Sequence, residues 1–196
     1  MAATPEITDE PLWDRVTVLS TTSNLTLEFF KAPQSNADPY DSTNVPSKHI
    51  ADTNMNQQGG RLGGDESFMA EEIAIAPDLG SAQADSEKLA KDSVVEFRTE
   101  NDRTLVWRCP ARFIPAGTGI HGSSAVTSAG VGLLGFPSPS ARVRFKRPIY
   151  IARGEAFGVK YIFKAAPSLA ADRKLTCILF GDHYMVPVVG AASAPT

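Results

Sequence analysis

The sequence has little of what most catalytic and cofactor-binding signatures are made from. Two cysteines, Cys109 and Cys177, and three histidines, His49, His121 and His183, occur in 196 residues. Two cysteines without a short spacing make neither a metal knuckle nor a disulfide framework. Both sit in strand-like runs, LVWRCP and LTCILF, which predicts two buried free thiols or one bridge between neighbouring strands. An excess of one charge is missing as well: 19 Lys and Arg against 22 Asp and Glu leave a net charge of −3. No basic field therefore marks the chain for nucleic acid, which is not expected as a main ligand. No run nears the roughly 18 apolar residues of a membrane span, and MAATPEITDEPLW lacks the basic-then-apolar order of a secretory leader. The expectation is a soluble protein made in a cytoplasm, with no membrane span.

Motif matches are few and lack context. GTGIHG, residues 117–122, has the spacing G-x-G-x-x-G, but that motif aims amides at a pyrophosphate only between a strand and a helix, and no helix pattern follows. The three histidines lie far apart in different kinds of segment. His183 after Asp182 in FGDHYM is expected in a solvated turn, and no cupin-like cluster of histidines and glutamate is present. Asp65, Glu66, Glu71 and Glu72 match no calcium loop and are expected on a solvated strand edge. Ser123 and Ser124 beside His121 do not form a nucleophile elbow. Asn24–Leu25–Thr26 matches a glycosylation acceptor by chance. The chain is expected not to be an enzyme and to need no cofactor and no metal.

What is there is alternation. Val16 and Val18 in RVTVLS, and Leu25, Leu27 and Phe29 in NLTLEFF, recur with period two, as a half-buried strand requires. SFMAEEIAIAP, residues 67–77, reads as another strand, although Phe68, Met69, Ile73 and Ile75 are also spaced to start a helix, and residues 76–92 read as a short helix or polar loop. SVVEFR and TLVWR around TENDR predict a hairpin with Val95, Phe97, Leu105 and Trp107 inward. RPIYIARGEAFGVKYIF, residues 147–163, reads as two antiparallel strands turning Ile149, Ile151, Phe157, Val159, Tyr161 and Phe163 to one apolar layer. Gly154 takes the turn between them, where a positive φ is cheapest. About eight strands, long loops and little helix predict an all-β antiparallel sandwich or jelly roll; a parallel α/β sheet would need crossover helices that are missing. The expected layout is an N-terminal arm over 1–14, one jelly-roll-like domain over 15–189 with long loops at 31–66 and 115–140, and a flexible tail over 190–196.

The pattern Pro148, Ile149, Tyr150, Ile151, Gly154, Phe157, Val159, Tyr161 and Phe163 resembles a late segment of jelly-roll virion proteins, especially those of bacteriophages. DTNMNQQGGRLGGDESFMAEEIAIA and LVWRCPARFIPAGTGIHG are similar to other strand approaches in such proteins, so the resemblance covers most of residues 50–165. Ala152 and Arg153 stand where that pattern has proline. The resemblance implies a capsid or capsid-associated subunit, a major shell or minor or decoration protein, located in the virion. Its implied partners are itself, as a homotrimer or higher shell assembly, and other virion proteins. Candidate subunit-interface residues are Val131, Leu133, Leu134 and Phe136 in the apolar tip VGLLGF, and Arg142, Arg144 and Lys146, which alternate on the face opposite Val143 and Phe145. The alternative is a carbohydrate- or receptor-binding sandwich, for which Trp13, Tyr40 and Phe136 are the aromatics in plausible loop positions.

Overall fold

A computed structural model describes residues 6–41, 47–55, 59–78, 83–100, 103–114 and 142–185. It contains nine strands: β1 (Glu6–Thr8), β2 (Leu12–Val18), β3 (Thr26–Phe29), β4 (Glu66–Pro77), β5 (Ser93–Thr99), β6 (Thr104–Pro110), β7 (Val143–Ile151), β8 (Phe157–Phe163) and β9 (Arg173–Met185). One helix, α1 (Gln83–Ala90), joins β4 to β5, and a short 3-10 turn, Ala111–Phe113, follows β6. The first sheet runs β1-β9-β4-β7, with β2 also paired to β9; the second runs β3-β8-β5-β6, and every pairing is antiparallel. The protein is an all-β sandwich.

The order has a simple origin. β2 pairs with β9, β3 with β8, β4 with β7 and β5 with β6, as they would in one long hairpin folded at the β5–β6 turn. Rolling that hairpin up adds the β9–β4 and β8–β5 contacts and splits its strands between two sheets. The result is the jelly-roll arrangement of two four-stranded layers, with β1 as an extension of the first. Each strand's alternate side chains fill the space between the layers. Val16, Phe68, Ile73, Ile151 and Leu179 come from one side, and Leu27, Phe29, Val95, Phe97 and Val159 from the other. Each such fully buried side chain is worth about 1.5–3 kcal/mol relative to exposure. Phe145 of β7 stacks on Phe97 of β5 at 6.1 Å and meets Trp107 of β6 edge-on at 5.2 Å, locking one flank of the sandwich.

Several expectations are corrected. The strands within residues 147–163 share one apolar layer, but they do not pair with each other: β7 belongs to the first sheet and β8 to the second. Residues 152–156 are thus a corner between sheets, where Gly154 does take φ 63° and its amide donates to the Gly63 carbonyl. The β5–β6 hairpin forms, yet Leu105 points outward. Phe97 faces Trp107 while Arg98 faces Leu105, so Val106 is an extra residue in a bulge that reverses the inward phase. Part of the expected arm over 1–14 is sheet from Glu6 onward.

The described part of the 31–66 loop is tied to its own chain. Asp14 falls in phase with Leu12, Val16 and Val18, and so points inward. There it meets the Lys48 ammonium at 2.7 Å and accepts the amide of Phe30 at 2.6 Å. Met55 and Leu62 join the core, and Asn54 and Thr53 bond the backbone of Trp13 along the outer side of β2.

Candidate functional site

The residues singled out as interface candidates divide into two groups. Val131, Leu133, Leu134 and Phe136 lie outside the described residues, as do GTGIHG, His121, Ser123 and Ser124. Arg142, Arg144 and Lys146 are all exposed on or beside β7, while Val143 and Phe145 turn to the core, as alternation requires. β7 is the last strand of the first sheet, so one of its sides has no strand partner among the described residues.

Two of the three cations are partly engaged. Arg142 lies 3.8 Å over the Phe180 ring and 3.6 Å from the Glu72 carboxylate, and Arg144 is 3.9 Å from Glu71. These carboxylates, expected on a solvated edge, are part-exposed and face arginines there. Pairs this exposed and this long contribute at most about 1 kcal/mol each. Lys146, Arg147 and Arg153 are exposed and have no hydrogen-bond or ion-pair partner among the described residues. Tyr150, 52% exposed, stands among them. Pro148 lies where the ladder to β4 is interrupted, between Arg144 and Ile149, a place where a missing N–H costs nothing.

The opposite end of the first sheet carries the other sign. β1 pairs with β9 on one side, and its second side has no strand partner among the described residues. Glu6, Asp9 and Glu10 there are exposed and likewise unpaired, with Ile7, 57% exposed, between them. β2, next along the same side, is different, because Asn54 and Thr53 of its own loop cover it.

The other polar groups serve the chain itself. Around Asp14 and Lys48, the side chains of Arg15, Asp38, Asp52 and Lys174 close up with no room for a water-sized molecule. Burial pushes the Asp14 carboxyl up, against the pull of Lys48 and the Phe30 amide. Asp85 at the start of α1 accepts the amide of Ala170 at 3.0 Å and the Arg173 guanidinium at 3.0 Å; chiefly that amide, then Arg173, holds its carboxyl below the ordinary 3.8. Burial pushes both thiols up, Cys177 furthest, and both are free, which disfavours the reactive thiolate. His49 sits in an exposed turn, where its Nδ1 accepts the Ala51 amide. His183 is not in a turn: it is buried in β9, edge-on to Phe68 at 6.0 Å and opposite Thr8, whose hydroxyl is buried with it. The expected turn gives way to a strand because Gly181 lets β9 run on past Met69. A Cβ at Gly181 would lie 1.9 Å from the Met69 carbonyl oxygen.

Of the aromatics considered for glycan binding, Trp13 donates its indole N–H to the Ile50 carbonyl and Tyr40 takes the amide of Glu28 on its hydroxyl. Burial pushes that hydroxyl up to about 12. Phe136 lies outside the described residues. Among the described residues no three His, Cys, Asp or Glu side chains are grouped as a metal would need, and no helix is long and apolar enough to cross a membrane. The unpaired charges at the two ends of the first sheet could not be read as a site from sequence, because Glu6 and Lys146 become related only through β9 and β4. Comparison with known proteins found no family model, no curated protein and no solved structure that matches this chain.

Proposed function

We propose that this chain is a structural subunit of a virion: a self-assembling capsid or capsid-associated protein, major shell or minor, without enzymatic activity. The observation that carries the proposal is the strand order, β2-β9-β4-β7 over β3-β8-β5-β6. Jelly rolls of this kind build viral capsids, and they also form lectin and cupin domains, so the fold supports the role by analogy. Two further features favour assembly. Among the described residues the first sheet ends at β1 and at β7 in edges without a strand partner and with unpaired charge, which does little for a monomer. Exposed Ile7, Leu105, Val106, Phe113 and Tyr150 add apolar surface outside the core. The partners are then other copies of the chain, as a trimer or a larger shell, and other virion proteins.

Light scattering after size exclusion, across protein and salt concentration, tests the proposal, with electron microscopy of any large species. Closed particles or a stable trimer support it. A monomer at every concentration that binds a glycan would sink it in favour of a binding module.

A further inference from the structure

The first sheet is polar from edge to edge, in direction and in charge. Its strands alternate strictly, so β1 and β7, the two ends of the order β1-β9-β4-β7, run in opposite directions. A second copy placed beside the first in the same orientation would bring its β7 alongside β1, antiparallel, with the inner faces of both sheets on one side. Edge-to-edge pairing of this kind is a recurrent way to extend a sheet across molecules.

We infer that two copies of this chain associate head to tail, β1 of one beside β7 of the next, through the unpaired acids of the first edge and the unpaired cations of the second. This inference rests on the assembly proposal and names the surface that serves it. Charge decides the partner. Glu6, Asp9 and Glu10 would repel a second β1, and Lys146, Arg147 and Arg153 a second β7, so symmetric edge pairings are disfavoured and the mixed one is favoured.

Side-chain phase narrows the register, since a shift by one residue would turn buried groups outward. Ile7 and Tyr150 are both exposed on the outer face, while Thr8 and Ile149 are turned toward the core. Setting Ile7 opposite Tyr150 keeps both faces in phase, joins the two exposed apolar side chains and puts Glu10 opposite Arg147. Pro148 brings no N–H, so the ladder falls on the residues to either side of it. The contact is heterologous and closes into a ring or runs on as a filament, according to the angle between copies.

Complementation tests this. Glu6→Lys/Glu10→Lys makes both edges basic, and Lys146→Glu/Arg147→Glu makes both acidic. Each variant, confirmed folded by circular dichroism, should need about tenfold more protein than wild type to associate. Their equimolar mixture should recover wild-type association, because each then meets an edge of opposite sign. The milder pair Lys146→Gln/Arg147→Gln, if the reversed one folds poorly, should lose part of the association and most of its salt dependence at this contact, Arg153 keeping the rest. Variants that assemble like wild type, or a mixture no better than its components, overturn the edge pairing while leaving assembly itself standing. A wild-type chain that stays monomeric at low salt overturns both.

Discussion

The two sheets handle charge in opposite ways. On the outer face of the second sheet, Glu28, Lys160, Glu96 and Arg108 form one row across β3, β8, β5 and β6. Lys160 reaches Glu28 at 3.0 Å, and Arg98 and Arg108 close on Glu96. Signs alternate along the row, so each charge is met within the chain. In the first sheet Glu71 and Glu72 of β4 meet Arg144 and Arg142, but among the described residues the exposed charges without a partner divide by sign, acids beside β1 and cations beside β7, with β9 and β4 between them. Charge met internally stabilises the monomer and offers a neighbour nothing. Charge of one sign left on an edge does little for the monomer and acts outward.

The largest effect of breaking this division should come from an internal charge. Lys48→Met strands the Asp14 carboxylate in the interior and should cost about 3–5 kcal/mol, much of it recovered in Lys48→Met/Asp14→Leu. Denaturant unfolding measures both, and a single variant within about 1 kcal/mol of wild type would show that the pair does not hold this charge. Gly181→Ala tests the strands that separate the two edges. Its methyl must push β9 from β4, at about 2–3 kcal/mol, and association should weaken with stability; wild-type melting would argue against so close a contact.

Acid should release the internally held carboxylates. Burial raises Glu96, but Arg98 and Arg108 outweigh it and hold the group below its ordinary 4.5, while Asp85 lies below 3.8. A depressed folded pKa means that the unfolded chain binds protons first. The stabilisation is therefore full above about pH 5 and is lost as pH falls through and below about 4. Asp85→Asn/Glu96→Gln should flatten the fall of melting temperature over that range; an unchanged slope would assign acid sensitivity elsewhere. The smallest effect on stability should come from the edges: Lys146→Glu/Arg147→Glu should stay within about 0.5 kcal/mol of wild type. A larger loss would mean that these cations are satisfied inside the chain after all.

Much of the strand content was legible in the sequence, because a strand that buries one face must alternate, as β2, β5 and β8 do. Sheet membership was not. Residues 147–163 alternate equally well as a hairpin or as a corner between layers, and only non-local pairing decides. The same limit hid the outward turn of Leu105, which depends on one bulged residue, and the burial of His183, which depends on Gly181. One signal was present and unused: Asp14 sits in phase with Leu12, Val16 and Val18, and an acid on a buried face requires a cation. Lys48 lies in a stretch without periodicity, so its identity as that cation was invisible. The edge charges were visible as residues, but their opposition across one sheet exists only once the chain has rolled up.

The nested pairing also sets an order in time. β5 and β6 meet across a few residues, whereas residues 12–18 must find 173–179 across nearly the whole length, the costliest loop to close. Folding should zip outward from the β5–β6 turn, so pulse-labelled hydrogen exchange should protect Val95 and Phe97 before Val16 and Leu175; the reverse order would reject it. Among the described residues β1 pairs only with β9, the last of their nine strands. A chain emerging from the ribosome would then lack its acidic edge until β9 had been made, so the order of synthesis would delay one of its two edges and leave β7 as the first through which it could join finished neighbours.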